Sequence, residues 1–291
     1  MALIIPEVFA DTVNEKLNVS FKMAQLATDV TNQVSDITTC GDKIHFPTFD
    51  RVAKVSEVTK GKALVPAEVS MTDNVADIKQ TGGSIRVYDV DATQIKGATY
   101  DAMAQQLTDA MVADIDTALG ATIDAEAKLK SGLTNTDPVE QVTYTDLVNA
   151  LGFFGDQVDY DSFAGIAINS KLLPSFLQMN EFVSVEKTYN RTNDNGLIKN
   201  GLVGYFLNIP VVLTNNATYD DKLKETKTYI IKKGALGYVL QRGVTVETER
   251  EAKLLATDIV VSDLYATKVM DKDGIVVMRK TIAWFNQSVN L

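Results

Sequence analysis

His45 is the only histidine and Cys40 the only cysteine in a chain of 291 residues. A Ser-His-Asp constellation would have to run through His45. That residue sits in Lys43-Ile44-His45-Phe46-Pro47-Thr48-Phe49, whose alternation is that of a strand. No Gly-x-Ser-x-Gly sequence accompanies it, so a structural histidine is the expectation and no catalytic residue is assigned. Zinc sites built from several Cys and His ligands are excluded by the same count, and one thiol permits no disulfide within the chain. Neither a GxxxxGK[ST] loop nor a GxGxxG turn occurs, so nucleotide binding has no motif to rest on. No cofactor and no metal are expected.

Carboxylates are more plentiful. Asp109, Asp114, Asp116 and Asp124 fall within one helical stretch but spread around its circumference, which predicts a solvated polar face rather than a cation site. Glu247, Glu249 and Glu251 alternate along a predicted strand and so share one face. Three like charges in line repel unless a basic group stands near. Arg242, Arg250 and Lys253 are candidate partners within the chain; a cation from another subunit is the alternative. Formal net charge is −10 and the sequence pI about 4.7, which excludes nucleic-acid binding over the whole surface. Basic residues gather modestly at 54–62 and 222–233, without the interleaved aromatics of a single-strand binder.

The elements that position these residues begin with one long helix, predicted from Asp91 to about Lys130. Tyr100, Met103, Leu107, Met111, Ile115, Leu119 and Ile123 recur every three or four residues and form one apolar stripe. Asp91 with Gln94 reads as a capping box and Gly132 as a stop. Such a helix would be roughly 55–60 Å long, a brace across a flat subunit; two helices broken at Gly97 or Gly120, or a bundle helix, are the alternatives. Residues 1–40 form an arm with Val8 and Phe9 in its apolar stripe. Residues 41–90 carry strand signals, with a charged turn at Thr59-Lys60-Gly61-Lys62-Ala63 and a further turn at Gly82-Gly83. The polar stretch 54–80 has little with which to build a core, and a lone ribbon is marginal in water. Beyond Pro138 a helix (143–154), a buried strand (162–169), a short helix around Pro174 and several strands alternate. Two closing strands, 259–269 and 274–280, are predicted to form a hairpin through Asp271-Lys272-Asp273-Gly274. No apolar run reaches the length of a membrane span, and the N-terminus lacks the basic start of a secretory signal.

In this order the elements resemble the major capsid proteins of tailed bacteriophages with the HK97-type fold. Three stretches carry the likeness: Pro6-Glu7-Val8-Phe9-Ala10-Asp11 in the arm, the strand pair from Gly201 to Asn215 with Gly204 and Pro210-Val211-Val212, and the run Gly234 to Arg250 with Val246-Glu247 before the closing strands. Each is weak alone; their shared order covers nearly the whole chain.

The resemblance implies an α+β fold with five parts: an N-terminal arm (1–40), an extended β-ribbon or E-loop (41–90), a spine helix (91–134), an axial domain (135–245) and closing strands of a peripheral domain with the tail (246–291). It implies copies of the chain assembled as pentamers and hexamers into an icosahedral shell around double-stranded DNA. That shell forms in the host cytoplasm with scaffolding, portal and decoration proteins and makes no sequence-specific contact to the DNA. Val8, Phe9, Lys60, Lys62, Glu247, Glu249 and Glu251 become the candidate inter-subunit contacts. Some members cross-link lysine to asparagine, but no partner for Lys60 or Lys62 is assignable, so no cross-link is predicted. An encapsulin-like shell around cargo protein is the alternative within this fold. An enzyme with a carboxylate site in the α/β segment is the alternative outside it.

Overall fold

Strand and helix fall where the alternation and the apolar stripe require, with two changes of partner that periodicity does not reveal. The computed structural model describes residues 21–31, 43–49, 71–90, 99–125, 130–135, 142–156, 158–183, 201–222 and 224–281. Val8, Phe9, Lys60 and Lys62, the Asp91–Gln94 capping box and Gly97 lie outside the described residues.

Helix α1 spans Thr99–Ala125, 27 residues or ~40 Å. Leu107, Met111, Ile115, Leu119 and Ile123 are buried along it. At roughly 1.5–3 kcal/mol for each large apolar side chain removed from water, this stripe is a principal source of stability. The helix does not reach Lys130. Lys130–Asn135 is a strand, β5, so Gly132 is a strand residue and not a helix stop. Nor does α1 break at Gly120. That glycine is buried because a Cβ there would meet the Ala217 Cβ at 2.1 Å, so it lets the loop 214–218 lie against the helix.

The described strands form three sheets, two of which pack on α1. One has β1 (Thr28–Asp29), β11 (Leu236–Glu251), β12 (Ala256–Val269) and β4 (Lys79–Tyr88) in that order. The predicted Gly82-Gly83 turn is strand instead: Gly82 pairs with Ser262 and Gly83 with Val261. A Cβ on Gly83 would meet Leu107 Cδ2 at 3.3 Å, so the glycine allows α1 to settle onto the sheet. The second sheet runs β5, β13 (Ile275–Thr281), β10 (Glu225–Lys232), β6 (Phe163–Ile168), β8 (Ile209–Leu213) and β7 (Leu202–Phe206), with β9 (Tyr219–Asp220) paired to β10. β7 and β8 turn through Leu207 and Asn208, both at positive φ (47° and 69°), as a two-residue hairpin demands. The third is the ribbon of β2 (Lys43–Phe49) and β3 (Met71–Asp77). His45 stands exposed on β2 opposite Val75.

β12 and β13 are not the predicted hairpin. The turn at Asp271–Gly274 passes the chain from the first sheet to the second, β12 pairing with β11 and β4, and β13 with β10 and β5. A good turn sequence sets the reversal; burial decides which sheet receives each strand.

α1 closes one face of the first sheet through Leu107, Ile259 and Val261, and reaches the second through Tyr229, Ile231 and Val277. The other face of the second sheet packs α2 (Tyr144–Gly152) and α3 (Leu173–Gln178) through Leu147, Phe176, Ile166 and Ile230. α2 starts at Thr143, whose side chain and that of Asp146 form a reciprocal capping box. Ile44 and Phe46 at the ribbon base pack with Val239 and Ala266, on the far side of the first sheet from α1.

Ile115→Asp, which places a charge at a site 1% exposed, is expected to cost more than ~4 kcal/mol and to leave no soluble folded protein. Asp109→Asn, at an exposed site bonded only to Gln105, is expected to shift stability by no more than about 0.5 kcal/mol. Soluble yield of Ile115→Asp and thermal melting of Asp109→Asn, each against the parent, check the pair.

Candidate inter-subunit surface

Glu247, Glu249 and Glu251 do share a face, the one turned away from α1. Register puts Glu247 opposite Val260, Glu249 opposite Asp258 and Glu251 opposite Ala256, and beyond them, on β4, Ser84, Arg86 and Tyr88 pair with those three β12 residues. Arg86 grips Asp258 with two hydrogen bonds, Nε to Oδ1 at 2.7 Å and Nη2 to Oδ2 at 2.6 Å. That bond holds the Asp258 carboxyl below the ordinary carboxylate range and raises Arg86. Glu249 therefore faces an acid whose cation is already engaged.

Two of the three candidate partners within the chain, Arg250 and Arg242, go elsewhere. Arg250 lies on the opposite face and binds Asp89 bidentately at 2.7 and 2.6 Å, depressing that carboxyl. Arg242 donates to Ser262 Oγ at 3.0 Å. Among the described residues no cation pairs with Glu247, Glu249 or Glu251. At the hairpin end beside them Leu254 and Leu255 are 49% and 60% exposed.

The acids of α1 correct the expectation of a solvated face. Asp109 is exposed, but Asp116 is fully buried. Its Oδ1 accepts the N–H groups of Met23 and Ala24 at 3.0 and 3.1 Å, which seats the turn Ala24–Leu26 on the helix. Burial raises the Asp116 carboxyl, outweighing these bonds. Asp124 receives Lys227 Nζ at 2.6 Å, and Asp114 accepts from Tyr265 Oη at 2.8 Å. Asp263, buried under α1, accepts from Thr81 and is raised chiefly by burial, with Asp114 adding to it. Thr108, Val112 and Gly120, spaced by four around Asp116, form a second buried row. That row was the signal in the sequence that Asp116 faces inward.

An open cleft of about 440 Å³ lies between Asp156, Asp159, Ser162, Lys232, Lys233 and Asp271. Two of its acids serve the backbone: Asp159 caps Asp161 N and Asp271 caps Asp273 N. Lys232 lies over the rings of Phe154 and Phe163. Among the described residues no group of three or more His, Cys, Asp or Glu side chains is placed to hold a metal ion. No described helix is long and apolar enough to cross a membrane.

This architecture is that of the capsid-shell subunits of tailed phages, an α+β fold of the HK97 type. A structure from Mycobacterium phage Che8 superposes with a TM-score of 0.65 at 20% identity, covering 88% of this chain and 90% of that one. The capsid structure of cyanophage P-SCSP1u gives 0.63 at 18% identity, covering 89% and 87%. A virus-like particle from Pyrococcus furiosus gives 0.61 at 15% identity, covering 95% of this chain and all of that one (100%). No family model and no curated protein matches the sequence.

The stability contributed by the two depressed carboxyls, Asp258 and Asp89, is present above the ordinary carboxylate range and is lost as pH falls through their lowered values. Arg86→Met is therefore expected to melt below the parent at neutral pH and to converge with it in strong acid. The gap is expected to be small, because the pair is exposed. Melting temperature against pH for both proteins checks this.

Proposed function

We propose that this chain is the major subunit of a phage capsid: copies associate as pentamers and hexamers and close into an icosahedral shell around double-stranded DNA. The observation that carries this is the superposition on a phage structure, a cyanophage capsid structure and a virus-like particle over 88–95% of the chain, a match of the whole architecture and not of one motif. The acidic surface supports an interior that holds DNA by enclosure and not by phosphate contacts, at net charge −10. In this reading residues 135–245 form the axial domain, and α1 with the closing strands the peripheral domain. The arm (1–40, with Val8 and Phe9) and the ribbon (41–90) reach neighbouring copies. A scaffolding protein, a portal and decoration proteins complete a virion assembled in the host cytoplasm. No catalytic step is assigned.

Within this function the row Glu247, Glu249 and Glu251, without a cation among the described residues, is the acceptor for a basic group of another copy, with Lys60 and Lys62 of the ribbon turn as donors. The register supports it: the acid opposite Glu249, Asp258, already holds Arg86, so that arginine is not left over for Glu249.

A second reading keeps the shell and changes the contents: an encapsulin-like compartment around cargo protein. The virus-like particle from Pyrococcus furiosus favours it, since that chain is covered in full. Electron microscopy of the purified protein, with the nucleic-acid and protein content of any particles, separates the two. Closed particles are expected, and a subunit that stays monomeric at all concentrations and with scaffold present overturns both readings.

Changing Lys60 and Lys62 together to Glu is expected to leave the subunit's melting unchanged within about 0.5 kcal/mol while reducing particle yield, most at low salt where screening is weakest. Melting by circular dichroism and particle yield, measured on the same preparation, decide it. A lost fold with normal assembly of the remainder overturns the ribbon's role.

A further inference from the structure

The turn that joins β11 to β12 is built against the usual rule for an exposed reversal. Glu251 pairs with Ala256, so Ala252, Lys253, Leu254 and Leu255 form the loop. Reversals of this kind favour Gly, Asn, Asp and Ser. Here two leucines stand in it, 49% and 60% exposed, and Leu255 holds φ 48°, a left-handed conformation that leucine rarely adopts. Glycine would be unstrained there. Tyr88 and Val90, 45% and 58% exposed, adjoin the turn, because Tyr88 pairs with Ala256 and the N–H of Asp89 donates to the Leu255 carbonyl at 2.9 Å.

The turn is held firmly from behind. Leu254 N–H donates to the Glu251 carbonyl at 3.1 Å and Leu255 N–H to the Ala252 carbonyl at 3.4 Å. Across its base Arg250 and Asp89 close their bidentate pair at 2.7 and 2.6 Å. Backbone strain persists only where the surroundings over-determine it, and it gathers at functional positions. Side chains fixed in advance lose little freedom on meeting a partner, so more of their apolar area counts toward association.

The charges of the turn identify its occupant. Glu251 and Lys253 carry opposite signs two residues apart, and among the described residues neither pairs with an opposite charge. A partner of one sign attracts one of them and repels the other. A second copy of the same turn, facing the first, satisfies both: each Lys253 meets the other copy's Glu251 while the leucines are buried between them. Lys60 and Lys62 are two cations for the three acids of the row, so Glu251, at the turn end, is the acid they leave over.

We propose that the turn 252–255 is a like-to-like contact between copies of this chain. Leu254 and Leu255 pack against the same residues of another copy, Lys253 and Glu251 pair across the seam, and Arg250 with Asp89 is the brace that presents them. This contact rests on the shell reading and adds to it an apolar seam that does not involve the ribbon.

The test combines Leu254→Ser and Leu255→Gly in the full chain and reads two quantities: melting of the unassembled subunit, and the protein concentration at which particles form. Glycine removes the strain at φ 48°, so melting is expected to hold or rise. The concentration needed for assembly is expected to rise by about tenfold or more. Assembly equal to the parent's overturns the contact, whatever the melting does. Should melting and assembly fall together, charge exchange decides. Lys253→Glu and Glu251→Lys, each alone, are expected to raise the assembly concentration, and the two together to restore it, because the pair is only exchanged across the seam. Single variants without effect, or a double variant no better than the singles, overturn the like-to-like occupant. A parent that forms particles beside variants that do so equally well leaves the shell standing and removes this contact. A parent that never assembles removes the shell, and the contact with it.

Discussion

Burial of one stripe on α1 is the constraint on which the rest of the subunit depends. The stripe from Leu107 to Ile123 touches the first sheet through Ile259 and Val261 and the second through Tyr229, Ile231 and Val277. No direct ladder joins these two sheets among the described residues. They are held by a helix that neither can cover alone, and by a chain that crosses from β10 into β11 and from β12 into β13. The close approach needs room as well as apolar surface. Gly83 admits Leu107 and Gly120 admits Ala217, so two glycines set how near the helix lies to strand and loop.

Around that stripe the interior is less apolar than the sequence suggests. Asp116, Asp263 and Lys227 are all nearly or fully buried. Each is used to join segments far apart in the chain: Asp116 holds the arm turn, Asp263 takes a bond from Thr81, and Lys227 meets Asp124 and Asp220. A charge or carboxyl buried in a core is costly when its partner is missing. These contacts therefore penalise wrong alignments of helix and sheet more than they add stability to the right one. Apolar packing tolerates a sliding helix; a carboxyl that must find two particular N–H groups does not.

The outer surface of the first sheet follows another rule. Its cross-strand ion pair, Arg86–Asp258, is bidentate but exposed, and contributes little to folding. Its value is to fix a pattern of charge on a flat face, with the Glu247–Glu251 row left as net negative potential beside it. Such a pattern matters for the rate and register of association rather than for the fold. The absence of a cation for that row among the described residues is what a subunit requires if its complement lies on another copy.

The sequence by itself determined most of the elements and the apolar face of each. Period 3.6 over Met103–Ile123 and period 2 over Lys43–Phe46 each reflect a local geometry, which residue order encodes directly. The helix beginning at Thr143, the short helix at Pro174 and the shared face of Glu247, Glu249 and Glu251 were legible for the same reason. The α+β order was enough to suggest the fold. Only the tertiary structure decided which surfaces meet. Gly82-Gly83 carries the composition of a turn but is strand, because α1 must press close there. The Asp271–Gly274 turn separates two sheets instead of closing a hairpin, because hydrogen-bond partners are chosen by burial across the whole chain. Asp116 reads as one polar residue among several on a helix; it faces inward because an arm ninety-two residues upstream brings it two N–H groups. Local periodicity carries no information about a partner that distant, and only the packed fold supplies it.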